Sequence, residues 1–261
     1  MPNVGQILLI VSAAAALGVS AALAPSPRSR PLAILAIVIA LATLAWHSIS
    51  RGSWVPLEHN FDALVWLGLL IAIFVAYVQW RRPVAGLEWF VLPIASMLFL
   101  GAAYFGRFKP HEYIDSTWSW VHRLSSFASA VALAIAGAGG LMYLIANRRL
   151  RDKTRVWSSP LGSLERLEHL TFLSVTLGFA LLTIAVVTGL DYLVRGRAHA
   201  EGWLAPKILL GMGVWIVYAV ALHAPIAPAL RGRKVAILSV CGFVLLVGTI
   251  VATQLLPGGP R

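Results

Sequence analysis

The chain has 261 residues, of which 59% are hydrophobic and 12% are charged, and its mean hydropathy is +0.82. A composition this apolar excludes a soluble globular domain and indicates a polytopic membrane protein. The net charge of +11 would suggest nucleic-acid binding in a soluble protein, but here the basic residues lie in short loops between apolar runs, where they set topology. The single cysteine, Cys241, excludes an internal disulfide and a cysteine-based metal cluster.

Eight apolar stretches are long enough to cross about 30 Å of hydrocarbon as helices. No soluble domain fits between them, and the longest connection, residues 148–168, is polar. The sequence therefore predicts an all-α polytopic integral membrane protein, with one membrane domain over residues 1–261 and its helices in one bundle. The predicted spans are approximately 5–24, 32–50, 62–80, 88–105, 119–146, 169–194, 204–225 and 234–256.

The distribution of charge predicts the orientation of the chain. Loops on one side collect thirteen of the 21 basic residues and four of the ten acidic ones, and the other side carries the rest. Because positively charged loops are retained in the cytoplasm, the more basic side is expected to be cytoplasmic. We therefore expect a multi-pass protein of the inner (cytoplasmic) membrane with both termini outside.

The chain carries seven histidines, which is many for so apolar a sequence. Ionisable groups inside a membrane are costly and often functional, and imidazole can be buried neutral and still bind a metal. The bland alternative, expected for at least half of them, is helix capping or hydrogen bonding between helices. The predicted topology places His169 and His223 near the inner face. It places the others at or near the outer face: His47, His59, His111, His122 and His199.

The stretch Trp118-Ser-Trp-Val-His122-Arg123 opens the fifth predicted span. Trp118 and His122 are four residues apart, so on a helix they share one face. An imidazole with an indole one turn away and a guanidinium beside it suits a flat, anionic, metal-bearing ligand. The competing interpretation is an interfacial aromatic belt with a solvated histidine.

Three stretches carry a family resemblance. The first is residues 51–64, the second opens with Trp118-Ser-Trp-Val-His122, and the third covers residues 164–243 and includes Gly202-Trp-Leu-Ala-Pro-Lys207. In order and spacing they resemble the cytochrome c assembly superfamily of membrane haem-handling proteins, the CcsA and HemX-like group. The resemblance covers roughly residues 50–250.

This resemblance implies a membrane protein that binds haem b and assists cytochrome c biogenesis, with apocytochrome c and other maturation proteins as partners. It implies an external haem ligand at His122, a transmembrane haem ligand at His223, and a haem-contacting loop with Trp203, Pro206 and Lys207. Any chemistry would be thioether formation between haem vinyl groups and the thiols of another protein, as part of a haem-attachment system. The chain itself shows no self-contained catalytic site.

A haem site requires an imidazole for the iron, an apolar or aromatic wall, and cations for the propionates. At the outer face His122 can supply the ligand, and the second axial ligand stays open among His199, His59 and His111. Candidates for the wall are Trp118, Trp120 and Trp203, and candidates for the cations are Arg123, Arg195 and Lys207.

At the inner face His169 and His223 form the only histidine pair. They would lie close together if the sixth and seventh helices are neighbours, which a short connection favours. Glu165 or Glu168 would then be placed to orient an imidazole.

Two alternatives remain open from the sequence. The loop before Lys207 holds one tryptophan, and no histidine follows the eighth predicted span. These departures from the family pattern favour a HemX-like accessory subunit without bound haem. The other alternative is a small-molecule transporter, for which the many Gly and Ala residues would allow helices to move against one another, although no interior acid or pair of broken helices supports it.

Overall fold

A computed structural model describes residues 2–24, 26, 28–52, 59–81, 83–106, 116–151, 163–194, 204–223 and 232–255, with the backbone alone at 151, 192–194, 204–207 and 253–255. The described chain is helical and contains no strand. Its helices are α1 (Val4–Leu23), α2 (Ser29–Arg51), α3 (Asn60–Arg81), α4 (Leu87–Phe105), α5 (Thr117–Arg151), α6 (Leu164–Val194), α7 (Leu204–Leu222) and α8 (Arg233–Leu255).

Seven of these helices are long and apolar enough to cross a membrane, and the part of α7 with described side chains, Ile208–Leu222, is apolar but shorter. The prediction of an all-α polytopic membrane protein is therefore confirmed. The orientation of the termini stays a prediction.

The polar connection predicted at residues 148–168 is shorter than the sequence suggested. Helix α5 continues to Arg151, and α6 already begins at Leu164. At about 1.5 Å per residue the 35 residues of α5 extend about 50 Å, which exceeds the hydrocarbon thickness. Charged residues at the end of a span do not stop the helix, because the backbone keeps its internal hydrogen bonds beyond the hydrocarbon.

The chain divides into two compact units, Met1–His111 with α1–α4 and Glu112–Arg261 with α5–α8. The expectation of one domain with a single bundle stays a prediction.

In the first unit, α1 packs on α2 and α4, and α3 packs on α4 and α2. Hydrogen bonds to backbone carbonyls join helices distant in sequence: Ser96 Oγ donates to Ala14 O at 2.9 Å. Gly68 allows the close approach of α3 and α4, since a Cβ there would lie 2.8 Å from Cε1 of Phe99. Small residues at helix contacts are the usual means of close packing in membranes.

In the second unit, α5 packs on α6 and α8, and α7 packs on α8 and α6. Helices α5 and α6 run antiparallel: Gly139 faces Thr171 near the start of α6, and His122 at the start of α5 faces Gly189 near the end of α6. Tyr218 of α7 is completely buried and donates to Ser239 O of α8 at 3.1 Å. This arrangement brings the motif that opens α5 against the last turns of α6.

Gly137→Ala is expected to destabilise the second unit. A Cβ at residue 137 would lie 2.5 Å from the Cβ of Phe243, so α5 and α8 would have to separate. Overpacking of this kind costs about 1–3 kcal/mol. Gly248→Ala on α8, where a Cβ meets nothing within 4 Å, is the matched control. Thermal unfolding in detergent should show a lower midpoint for Gly137→Ala alone, and equal midpoints for the two variants would contradict this packing.

Candidate functional site

His122 lies one turn into α5 and is half-buried against α6. Its Nδ1 atom is 2.8 Å from the backbone oxygen of Ala185. A carbonyl oxygen can only accept, so Nδ1 carries the ring hydrogen and Nε2 keeps its lone pair in the neutral ring. A histidine whose Nδ1–H donates to a carbonyl and whose Nε2 is available has the arrangement that metal-ligating histidines adopt.

The aromatic and basic side chains of the motif differ in how far they are exposed. Trp118 is 49% exposed, whereas Arg123 is only 7% exposed. The guanidinium carbon of Arg123 lies 4.2 Å from the ring centroid of Trp120, which is a cation–π contact. Nε of Arg123 also donates to the backbone oxygen of Ser119 at 3.4 Å. Trp118 therefore offers an open aromatic surface near His122, and Arg123 is packed with Trp120.

His223 follows the last residue of α7 and is exposed. Its Nδ1 donates to the backbone oxygen of Ala219, one turn earlier, at 2.7 Å, so in the neutral ring Nε2 is the nitrogen with the lone pair. His169 is exposed near the start of α6, and α6 packs on α7 as expected. No hydrogen bond or ring contact joins these two described imidazoles, so their pairing stays a prediction. His122 and His223 lie at opposite ends of the second unit.

Several predicted site residues lie outside the described part of the chain. For Lys207 and Pro206 the structure describes the backbone only, within the first turn of α7. The remaining ones fall in undescribed segments: His111, Arg195, His199 and Trp203. Their roles stay predictions.

The first unit contains a buried polar cluster that joins the end of α2 to the start of α3. Nδ1 of His47 is 2.8 Å from Oδ1 of Asp62, and both side chains are almost completely buried. Nη2 of Arg51 is 2.7 Å from Oδ2 of Asp62, and Nη1 is 2.8 Å from Nδ1 of His59. The ring of His47 also packs on Phe61, with centroids 4.9 Å apart. Two basic side chains of α2 therefore share one carboxylate of α3.

This geometry disfavours both imidazoles of the cluster as iron ligands. A guanidinium only donates, so Nδ1 of His59 accepts and its ring hydrogen is on Nε2, which leaves no lone pair for a metal. Nε2 of His47 is enclosed and makes no hydrogen bond to any described residue. A porphyrin cannot reach this atom unless the packing opens. His59, one of the three candidates for a second axial ligand, is therefore held in the wrong tautomer here.

The predicted topology placed His47 and His59 near the same face, but the sequence did not show that they share a cluster with Asp62. The available signal was Asp62, a carboxylate in the first turn of an apolar helix, since an intramembrane acid usually has a basic partner. The partner had to lie near the end of the preceding helix, where both His47 and Arg51 are found.

The described helices and side chains define a polytopic helical membrane protein whose second unit carries His122 near the start of α5 and His223 just after the end of α7. Within the described part of the chain, no group of three or more His, Cys, Asp or Glu side chains could hold a bare metal ion. The sequence of residues 54–256 matches the family model described as Cytochrome C assembly protein. The match covers well over half of the chain, so the chain belongs to the cytochrome c assembly protein family.

Curated relatives cover most of the chain at low identity. The chain is 26% identical over 233 residues to the inner membrane protein YpjD of Escherichia coli strain K12, covering 85% of this chain and 88% of that protein. It is 23% identical over 262 residues to the cytochrome c biogenesis protein CcsA of Parasynechococcus marenigrum strain WH8102, covering 85% and 84%. A CcsA of Prochlorococcus marinus strain NATL2A is 33% identical over 95 residues, covering 36% of this chain and 30% of that protein. No solved structure matches the chain.

Proposed function

We propose that this protein takes part in cytochrome c biogenesis in the inner membrane by binding haem b in its second unit and presenting it to apocytochrome c at the outer face. Membership of the cytochrome c assembly family supports the role in biogenesis. The name of the CcsA relatives, which are cytochrome c biogenesis proteins, supports it further. The name of the YpjD relative and the seven apolar helices support the inner membrane as its location.

The observation that carries the haem proposal is the fixed ring of His122. The hydrogen bond from Nδ1 to Ala185 O leaves Nε2 with a lone pair on a half-buried ring, as an axial ligand of haem iron requires. An iron porphyrin needs only one or two protein ligands, because the macrocycle supplies the other four. The residues present therefore fit haem better than a bare metal ion.

The other predicted site residues take roles around this ligand. The exposed indole of Trp118 provides an apolar surface for the porphyrin, and Trp203 is proposed to extend this wall. Arg123 and Lys207 are proposed to pair with the propionates, and His199 is a proposed second axial ligand. His223, supported by His169, is the proposed ligand of a transmembrane haem at the other end of the unit.

When bound, haem would supply vinyl groups for attachment to the thiols of an apocytochrome. The described side chains of this protein contribute binding and orientation to that reaction. Partners would therefore include apocytochrome c and other cytochrome c maturation proteins of the membrane.

Purification after expression with added haem precursor tests haem binding. We expect a Soret band and a non-covalent haem b in the pyridine haemochrome spectrum. A protein that stays colourless under these conditions would contradict the proposal. Deletion of the gene in its host should lower the amount of haem-stained c-type cytochromes, and unchanged staining would argue against a role in biogenesis.

A second candidate is a HemX-like accessory subunit of the same maturation machinery without bound haem. It is favoured by the single tryptophan in the loop before Lys207. This candidate predicts that a double variant, His122→Ala with His223→Ala, assembles with its membrane partners and supports cytochrome maturation as well as the wild type does. Loss of maturation in a stably folded double variant would exclude it.

A further inference from the structure

The imidazole of His122 is held by α6, not by its own helix. The acceptor for Nδ1 is the backbone oxygen of Ala185, 63 residues away in sequence. Ala185 is 3% exposed, so water competes little for this oxygen. A carbonyl oxygen has two lone pairs, so it can accept from His122 in addition to its bond within the helix.

Gly189, one turn further along α6, lies directly against the same ring. A Cβ at residue 189 would be 3.0 Å from Cε1 of His122 and 3.2 Å from its Nδ1, which are closer than ordinary van der Waals contacts. The same Cβ would be 4.0 Å from Nε2. The ring therefore approaches α6 with its Cε1–Nδ1 edge, and Nε2 is the nitrogen that points further away.

Thr188 completes the contact from the neighbouring position. Its hydroxyl donates to the backbone oxygen of Ile184 at 2.7 Å, so its oxygen can accept only. That oxygen lies 3.5 Å from Nδ1 of His122, on the side of the ring that carries the hydrogen. The acceptors contributed by α6 thus all favour a hydrogen on Nδ1, which is the opposite of the tautomer that free histidine prefers.

We propose that Gly189 and the Ala185 carbonyl are positioning groups that hold His122 in its Nδ1–H tautomer and present Nε2 as the iron ligand. The expected effect on haem affinity rests on the proposed haem-binding function, whereas the tautomer itself does not depend on haem. A side chain at residue 189 would require the imidazole to shift away from α6 by at least a few tenths of an ångström, which lengthens the bond to Ala185 and weakens the preference for the Nδ1–H tautomer. Outer-shell partners of metal-ligating histidines typically change metal affinity by about 10–100-fold when they are lost.

The test uses Gly189→Ala in the full-length protein, with Gly211→Ala as the matched control. Gly211 is a helical glycine of the same unit at which a Cβ meets nothing within 4 Å, so this variant reports any general effect of replacing glycine. Haem-free protein labelled with ¹⁵N-histidine is observed by NMR, and the His122 signals are assigned by their loss in His122→Gln. We expect the Nδ1–H tautomer in the wild type and in Gly211→Ala, and a mixture of tautomers in Gly189→Ala.

Haem titration of the same three proteins measures the consequence for binding. Gly189→Ala should bind haem about 10–100-fold more weakly than the other two and show a shifted Soret band. A wild-type His122 in the Nε2–H tautomer, or Gly189→Ala with unchanged tautomer and unchanged haem affinity, would overturn the inference. A wild-type protein that binds no haem would instead overturn the proposed function, while the tautomer measurement would still test the role of Gly189.

Discussion

Asp62→Ala is expected to be the most destabilising substitution in the first unit. It removes the carboxylate that His47 and Arg51 share, and the polar atoms of His47 would remain buried between α2 and α3. Breaking a buried ion pair by removing one partner costs about 3–5 kcal/mol, because the groups that remain were desolvated to meet that partner. The midpoint of thermal unfolding of the purified protein should fall by several degrees.

Two variants make this prediction specific. Asp62→Asn keeps the shape and one acceptor oxygen, so its midpoint should lie between those of the wild type and Asp62→Ala. Glu168→Ala removes an exposed acid of α6 and should leave the midpoint close to that of the wild type. If Asp62→Ala unfolds at the same temperature as Glu168→Ala, the cluster does not stabilise the contact between α2 and α3.

His122→Ala is expected to have the largest effect on function. The substitution removes the proposed axial ligand without adding a charge or a larger side chain. We expect haem affinity to fall by at least about tenfold, as it does when metal sites lose their supporting groups, and the Soret band to weaken accordingly. Absorption spectra of equal amounts of folded protein measure the effect.

A control variant and a rescue separate ligand loss from general damage. Trp215→Phe removes the hydrogen bond from the indole to Thr183 within the same unit but leaves the contacts of His122 unchanged, so its Soret band should match that of the wild type. Added imidazole should restore part of the band in His122→Gly, because a free ligand can occupy the space that the side chain leaves. A full Soret band in His122→Ala would exclude this residue as a necessary ligand.

The helices of this protein were readable from the sequence because membrane spans depend on a single property. Apolar runs of about twenty residues indicate a span whatever their neighbours are, and every predicted span corresponds to a helix. The differences lie at the ends, as where α6 begins at Leu164 within a charged segment. Hydropathy indicates only the residues that lie within the hydrocarbon, whereas the helix continues into the water beyond it.

The candidate site was only partly predictable. The sequence singled out His122, but it could not show that this residue contacts Thr188 and Gly189. The face of α5 that meets α6 is determined by packing, in which small residues allow close approach. At Gly178 of α6, for example, a Cβ would lie 2.5 Å from Cδ2 of Leu133 of α5. The tautomer of His122 follows from that contact and has no signature in the local sequence.

The cluster of the first unit illustrates the same limit. His47 and Asp62 are each unusual in an apolar helix, and the predicted topology placed His47 near the outer face. Their pairing depends on the register of α2 against α3, which the sequence does not encode in any short motif. Arg51 is the clearest example. A basic residue at the end of a span usually indicates an interfacial charge, but this one is paired with a buried carboxylate.

A structure of the haem-loaded protein would show which atom of His122 binds the iron. We expect iron bound to Nε2 of His122, with Nδ1 of the same ring still hydrogen-bonded to the backbone oxygen of Ala185. Porphyrin bound elsewhere with His122 uncoordinated, or iron bound through Nδ1 with the contact to α6 broken, would contradict it.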